Sequence, residues 1–221
     1  MHINRDVRPL HRIAVLASVD AVSAVTADDL SKATPCVGWH LADLLTHMTV
    51  QHYGFAAAAR GHGADPAIWQ PDTVADAVTA DPAGTYAAAA TAVIDAFAGA
   101  DVLDATFALP EFGAGATFPG SLAIGFHYVD YVVHGWDVAR TMDQPFELPA
   151  DVVAAASPLA FAVPDGSFRA GDNAVFGPAI PAIPSTEAAN EFDRILAYLG
   201  RSPQWKPPSV AKASGMTECK L

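Results

Sequence analysis

The sequence predicts a mainly α-helical protein built as one helical bundle. Hydrophobic residues make up 52% of the 221 residues and charged residues only 16%, which is enough apolar material for a large buried core. Apolar residues recur at helical spacing over most of the chain, and strand-like alternation is confined to one short region. Packing helices against one another is the simplest way to bury such amphipathic faces.

Six helices are predicted in order along the chain, with turn-forming residues between them. They span residues 9–25, 39–60, 73–100, 120–142, 149–162 and 186–200. Pro82 favours the start of a helix and predicts a break in the third helix after Asp81. Alternating apolar residues before Pro110, followed by two glycines, predict a short β-hairpin within residues 104–118.

The domain organisation follows from the distribution of these elements. We interpret residues 1–205 as a single domain, and no internal repeat of fixed period is present in the sequence. Residues 164–185 are rich in proline and glycine, which predicts an extended segment covering the bundle. Residues 206–221 are predicted to form a loose C-terminal tail.

The chain is strongly acidic, with 12 Lys and Arg residues against 24 Asp and Glu residues and a net charge of −12. Such a surface repels nucleic acid and anionic membranes, so we expect neither as a partner. The two cysteines are too few for a disulfide scaffold and indicate free thiols in a reducing cytoplasm. The most apolar stretch, residues 122–138, contains two aspartates and two histidines, which is atypical of a transmembrane helix.

The fourth predicted helix carries the most informative pattern. His127, Asp130 and His134 fall on one narrow stripe of that helix, surrounded by apolar residues. A buried carboxylate between imidazoles is costly unless it is paired or bound to a metal ion. Asp130 and His134, four residues apart, can converge on one ion, and His47 of the second helix is a candidate third ligand. Two histidines and one carboxylate leave coordination positions open, as catalytic sites require. The alternative is an Asp–His hydrogen bond within the core.

Other residues lie on or near the stripe and have more than one interpretation. His127 lies on the ligand face and is a candidate for a residue that hydrogen-bonds to a metal ligand, a proton shuttle or a fourth ligand. Tyr131 flanks the stripe and is a candidate substrate-binding residue, with core packing as the alternative. Asp137 and Arg140 are three residues apart and are predicted to form an ion pair. Cys36 is interpreted as a small buried residue without a nearby base.

Two further histidines lie in the first and second predicted helices. His52 is one residue off the apolar face of the second helix and is predicted to point elsewhere. His11 lies near the N-terminus and receives no role. Neither histidine is therefore expected to take part in the site.

Several segments together resemble a known family. The segments TPCVGW at 34–39, DLLTHM at 43–48 and HGWDVAR at 134–140 resemble the DinB-like metal-binding proteins of actinobacteria. That family is related to the N-terminal domain of mycothiol-dependent maleylpyruvate isomerase. The ending over 192–205 is also similar, so the resemblance covers most of residues 10–205.

The resemblance implies a DinB-like four-helix bundle with a short hairpin-like insertion and additional C-terminal helices. It implies one divalent metal ion, zinc or nickel, and mycothiol as a thiol cosubstrate. The first ligand of the family falls on His47, and its acidic-x-x-x-His pair falls on Asp130 and His134. The isomerase has glutamate at the acidic position, so Asp130 is the shorter side chain. We also expect this chain to lack the separate C-terminal domain of that isomerase.

Three functional hypotheses remain open from the sequence. The first is a metal-dependent enzyme that activates a small thiol for transfer to, or isomerisation of, a small electrophile. The second is a metal-dependent hydrolase with His127 as a candidate base, although no carboxylate base is evident near the stripe. The third is a non-catalytic metal-binding bundle. A fourth protein ligand would favour the binding protein, whereas a cavity beside the metal would favour an enzyme.

Overall fold

The computed structural model describes residues 6–169, 176–181 and 190–208. Within these residues the protein is mainly helical, with one small antiparallel sheet, which confirms the predicted fold class. The helices are α1 (Arg8–Val22), α2 (Leu41–Ala59), α3 (Ala75–Ala80), α4 (Pro82–Phe97), α5 (Gly120–Thr141), α6 (Ala150–Ala160) and α7 (Glu191–Tyr198). The strands are β1 (Thr106–Ala108) and β2 (Thr117–Pro119).

Four long helices form the bundle that positions the site. Helix α1 packs against α5 and α4, and α2 packs against α4 and α5, so the four helices close a ring around a common core. Their buried faces are apolar, with Leu44, Leu45, Val93 and Val132 all inaccessible to solvent. Burial of such side chains stabilises the fold by about 25 cal/mol per Å² of apolar surface removed from water.

The predicted break between α3 and α4 is present and has a local cause. Asp81 accepts a hydrogen bond from the backbone N–H of Gly84 and so caps α4. Pro82 occupies the first turn of α4, where its missing N–H is not needed. Asp81 and Pro82 were therefore sufficient to predict this helix boundary from the sequence.

The predicted hairpin lies between α4 and α5. Phe107 of β1 pairs with Phe118 of β2, and Phe107 is fully buried against the bundle. Gly120 begins α5 so close to the carbonyl oxygen of Val102 that a Cβ atom would clash with it. The hairpin therefore fixes where α5 enters the bundle.

The C-terminal elements cover one side of the ring. Helix α6 packs on α5 and α1, and α7 packs on α6. Asn190 caps α7 by accepting a hydrogen bond from the backbone N–H of Asp193, and residues 186–189 of the predicted last helix lie outside the described residues. Of the predicted covering segment, residues 170–175 and 182–185 lie outside the described residues, as do residues 209–221 of the predicted tail. Among the described helices, none combines the length and the apolar character that crossing a membrane requires.

Candidate functional site

The three predicted ligands converge where α2 faces α5. Nε2 of His134 lies 3.3 Å from Oδ1 of Asp130, and Nε2 of His47 lies 3.8 Å from Oδ2 of the same carboxylate. One donor atom from each residue falls within 4.8 Å of the other two. The i, i+4 spacing on α5 accounts for the first contact, and the packing of α2 on α5 supplies the second. We call these three residues the ligand set.

The hydrogen bonds around the ligand set fit a bound cation. Nδ1 of His134 lies 2.9 Å from Oδ2 of the buried Asp137, so Nδ1 carries the proton that it donates. In the neutral ring, Nε2 then presents a lone pair to Oδ1 of Asp130, which is buried and accepts no hydrogen bond. Two lone pairs at this separation repel unless a proton or a metal ion lies between them. Two imidazole nitrogens and a carboxylate oxygen are a donor set that suits zinc or nickel.

The charges of the ligand set are strongly coupled. Burial disfavours the charged form of Asp130, but His134 and His47 outweigh it and hold the pKa of this carboxyl well below its usual range. Burial likewise opposes a charge on His134, yet Asp130 and Asp137 raise the pKa of its imidazole well above the ordinary value. Without a cation, His134 therefore retains a second proton. A metal ion must replace that proton to bind.

Behind His134 lies a buried polar cluster that the sequence did not predict. Asp137 is inaccessible to solvent and accepts hydrogen bonds from Nε and Nη2 of Arg201, at 3.3 and 3.2 Å. Sγ of Cys36 lies 3.1 Å from Oδ2 of Asp137 and 3.1 Å from Nη2 of Arg201. The Arg201 guanidinium thus holds the Asp137 carboxylate, which in turn fixes the tautomer and orientation of His134.

Two sequence predictions about this cluster are wrong. Asp137 does not pair with Arg140, whose guanidinium lies over the Trp136 ring at 5.5 Å from its centroid. Cys36 does have a carboxylate in contact, because the turn before α2 folds back onto α5. Both errors come from considering local spacing alone, since Arg201 follows α7 and approaches from a distant part of the sequence.

His127 faces two other histidines rather than the ligand set. Its Nδ1 lies 2.8 Å from Nε2 of His11, and its Nε2 lies 3.2 Å from Nδ1 of His52. All three rings are buried, and we call them the histidine row. Burial lowers the pKa of His11 to about 3 and, together with the neighbouring imidazoles, lowers the pKa values of His52 and His127 well below the ordinary value. The row is therefore neutral at physiological pH.

Tyr131 is a core residue and not a wall of the cavity. Its side chain is inaccessible to solvent, and its hydroxyl donates a hydrogen bond to the carbonyl oxygen of Met48. Its ring stacks on His52 and His127, with centroids 4.0 and 4.2 Å apart. The structure thus favours the packing alternative over substrate binding for this residue, whereas His52 points away from the ligand set, as expected.

A cavity of about 390 Å³ opens beside the ligand set. His47 and Asp130 line one end of it, and an edge of His127 also borders it. Most of the remaining wall is apolar and comes from α2, the hairpin, α5 and the end of α6. The ligand set therefore faces a space of the size and character in which small organic molecules bind.

Glu111 is a candidate functional residue that the sequence interpretation missed. It lies in the hairpin turn, and its Oε2 accepts a hydrogen bond of 2.9 Å from Nε2 of Gln51 on the cavity wall. Although much of the residue is exposed, desolvation of the carboxyl group raises its pKa to about 7, aided by the negative charge of Asp130 and opposed by the Gln51 hydrogen bond. The one available signal was an acidic residue within an otherwise apolar, glycine-rich turn.

Comparison with known proteins matches this chain to a family and its fold to a solved structure. Residues 11–139, more than half of the chain, match the family model described as the mycothiol maleylpyruvate isomerase N-terminal domain. Two uncharacterised proteins from strains of Mycobacterium tuberculosis are each 28% identical over 195 residues, covering 87% of this chain and 96% of their own. A crystal structure of the mycothiol-dependent maleylpyruvate isomerase superposes with a TM-score of 0.52 and 13% identity. That match covers 70% of this chain but only 66% of the isomerase, and it shows a shared fold.

Proposed function

This chain belongs to the mycothiol maleylpyruvate isomerase N-terminal domain family, and we propose that it is a metal-dependent enzyme of the isomerase or transferase kind. The reaction uses a small thiol, mycothiol by relationship to the isomerase, and a small electrophile as the second substrate. Transfer leaves the sulfur bonded to the electrophile. Isomerisation results when the sulfur adds reversibly to an alkene and leaves after the former double bond has rotated.

One observation carries the proposal: a three-residue donor set that opens onto a cavity. In the described part of the chain, His47, Asp130 and His134 group together without a fourth protein ligand at their shared position. The cavity borders His47 and Asp130 directly. A protein that only stores or carries a metal would instead saturate it with protein ligands. The arrangement supports an enzyme over a binding protein.

The ligand set, the residues behind it and the cavity have separate roles in the proposed reaction. His47 and His134 would hold a zinc or nickel ion through Nε2, and Asp130 through a carboxylate oxygen. The bound ion would supply Lewis acidity, lowering the pKa of a thiol so that it is nucleophilic at neutral pH. Asp137 keeps the Nδ1 proton of His134 in place, and Arg201 keeps Asp137 charged. The apolar cavity excludes water and positions the electrophile.

A metal-dependent hydrolase is the second candidate, and Glu111 is the observation that favours it. A carboxyl group with a pKa of about 7 on the cavity wall is suited to general acid–base chemistry. His127 is less suited to that role, because both of its ring nitrogens already face histidines. The two candidates differ in whether a thiol or water is consumed.

The test combines metal analysis with a product screen. Protein purified without a metal-affinity tag is analysed for metal, loaded with zinc or nickel, and incubated with mycothiol, bacillithiol or glutathione and activated alkenes or epoxides. Mass spectrometry should detect a thiol adduct or an isomerised alkene. His134→Ala should abolish that product, whereas His62→Ala, which removes an exposed histidine after α2, should not. Hydrolysis without thiol consumption would favour the second candidate, and metal-free protein with full activity would contradict both.

A further inference from the structure

Phenylalanine is the most frequent residue type on the walls of the cavity. The contributing residues come from α2, the hairpin turn, β2, α5 and the segment after α6: Phe55, Phe112, Phe118, Phe126 and Phe176. Phe112, Phe118 and Phe126 form a mutual cluster with ring centroids 5.1 to 5.2 Å apart. Phe112 is 45% exposed and therefore marks the outer edge of this cluster. Such walls favour flat or branched hydrocarbon groups.

Within the described residues, the cavity offers no free cationic side chain to an anionic ligand. Among the described residues that line it, Arg169 is the one arginine or lysine. Its guanidinium is buried and donates hydrogen bonds to the carbonyl oxygens of Val163, Pro164, Gly177 and Tyr198.

The formal charge near the ligand set also disfavours an anionic second substrate. A divalent ion with the Asp130 carboxylate carries +1, and one thiolate reduces this to zero. A carboxylate on the second substrate would then be buried among phenylalanine rings without a partner, which is costly. The polar groups that remain on the wall, Gln51 and Glu111, are a hydrogen-bonded pair. They suit a neutral hydrogen-bond acceptor such as a carbonyl oxygen.

We propose, building on the proposed function, that the second substrate is an uncharged α,β-unsaturated carbonyl compound with an aromatic or branched apolar group. The apolar group lies among the phenylalanines, and the carbonyl oxygen accepts a hydrogen bond from the Gln51–Glu111 pair. The alkene is thereby directed toward the ligand set. An apolar cavity of about 150 Å³ holds benzene, so about 390 Å³ has room for a substituted ring.

Calorimetric titration with three probes tests this proposal. Benzylideneacetone and cinnamate share the same ring and alkene but differ in having a methyl ketone or a carboxylate, and fumarate carries two carboxylates. The protein is used metal-free, with a chelator present and no thiol added, at pH 7.5, so that no open metal position can bind a carboxylate. We expect benzylideneacetone to bind at least tenfold more tightly than cinnamate, and fumarate to give no measurable heat. Equal or tighter binding of either anion would overturn the proposal.

A pair of tryptophan variants locates the binding. Leu159→Trp enlarges a side chain on the cavity wall, so that it fills part of the cavity and should weaken ketone binding at least tenfold. The control, Leu16→Trp at a 41% exposed position of α1, should leave ketone binding unchanged. Unchanged binding in a folded Leu159→Trp protein would place the ketone elsewhere and overturn the proposal. The probe comparison on the unmodified protein keeps the test decisive if that variant fails to fold. Because no thiol is present, failure here is distinguishable from failure of the thiol chemistry.

Discussion

The ligand set and the histidine row share helices α2 and α5, yet their histidines reach opposite electrostatic states. His134 and His127 lie on one stripe of α5, yet the pKa of His134 is raised and that of His127 is lowered. The difference is the partner: His134 lies between two carboxylates, whereas His127 lies between two imidazoles. A histidine stripe on one helix therefore does not define a site. The residues that face it from other elements do.

Helix geometry explains why the two clusters stay separate. His127 and His134 are seven residues apart on α5, which is about 10.5 Å along the helix axis. His47 and His52 are five residues apart on α2, which is about 7.5 Å. The packed helices thus form two levels, with His47 beside His134 and His52 beside His127. Of these two levels, only the first contains a carboxylate, that of Asp130, in contact with both of its histidines.

The largest expected effect is a difference in zinc affinity between a variant of the ligand set and a variant of the histidine row. His134→Ala removes a proposed ligand and should weaken zinc binding by more than about 100-fold, beyond the range typical of supporting residues. His52→Gln changes the histidine row and should leave zinc affinity within about threefold of the unmodified protein. Competition with a chromogenic chelator measures both values. Strong zinc binding by His134→Ala, or loss of zinc binding in His52→Gln, would contradict the assignment of the metal site to the ligand set.

The next effect concerns the support behind the ligand set. Asp137→Asn removes the charge that orients His134 and leaves the buried Arg201 guanidinium without its counter-ion. Zinc affinity should fall about 10- to 100-fold, and the free energy of unfolding should fall by about 3 kcal/mol. Urea denaturation with zinc titration measures both quantities, and Asp143→Asn, at an exposed position, serves as the control. Unchanged zinc affinity would show that Asp137 does not support the ligand set.

The histidine row predicts a specific acid sensitivity. Its three histidines have lowered pKa values when folded but titrate near 6.5 when unfolded, so the unfolded state binds more protons below pH 6.5. Each one therefore reduces the free energy of unfolding by up to about 1.4 kcal/mol per pH unit as the pH falls. The raised pKa of Glu111 opposes this trend between its ordinary value of 4.5 and about 7, whereas the raised pKa of His134 changes the stability only above pH ~6.5.

Replacing one histidine of the row measures its contribution to the pH dependence of stability. His52→Gln should flatten the pH dependence of stability between pH 6.5 and 4.5 by about 1.4 kcal/mol per pH unit, measured by urea denaturation in the presence of a chelator. His62→Gln should not flatten it, because His62 is exposed. An identical slope in the His52→Gln protein would mean that this imidazole is protonated in the folded state.

The smallest effect tests the acid on the cavity wall. Glu111 has a raised pKa of about 7, so it loses its proton, and with it a hydrogen-bond donor, as the pH rises from 6 to 8. Benzylideneacetone binding should weaken about fivefold over that range, which corresponds to one hydrogen bond of about 1 kcal/mol. Glu111→Gln keeps a donor at all pH values and should remove this dependence. A pH profile that persists in the variant would assign the titration to another group.

Much of the fold was predictable because its signals are local. The periodicity of apolar residues gave the bundle helices, and Asp81 with Pro82 marked the break before α4. The i, i+4 pair of Asp130 and His134 required nothing beyond helix geometry. His47 was identifiable because it is a histidine beside the apolar face of a second long helix.

The remaining features depend on contacts between distant parts of the chain. Arg201 reaches Asp137 from beyond α7, and His11 reaches His127 from α1, and no local pattern encodes either pairing. Glu111 gains its raised pKa because the hairpin turn places its carboxyl group on the cavity wall, where it is desolvated. Tyr131 was ambiguous for the same reason, since the neighbouring imidazoles of α2 and α5 determine where its ring lies.

A crystal grown with zinc and measured at the zinc absorption edge tests the central claim most directly. The account predicts one strong anomalous peak at the ligand set, with Nε2 of His47, Nε2 of His134 and a carboxylate oxygen of Asp130 each at about 2.0–2.2 Å. No comparable peak should lie in the histidine row formed by His11, His127 and His52. A peak in that row, or no peak at the ligand set under saturating zinc, would contradict the claim that the carboxylate distinguishes the two levels.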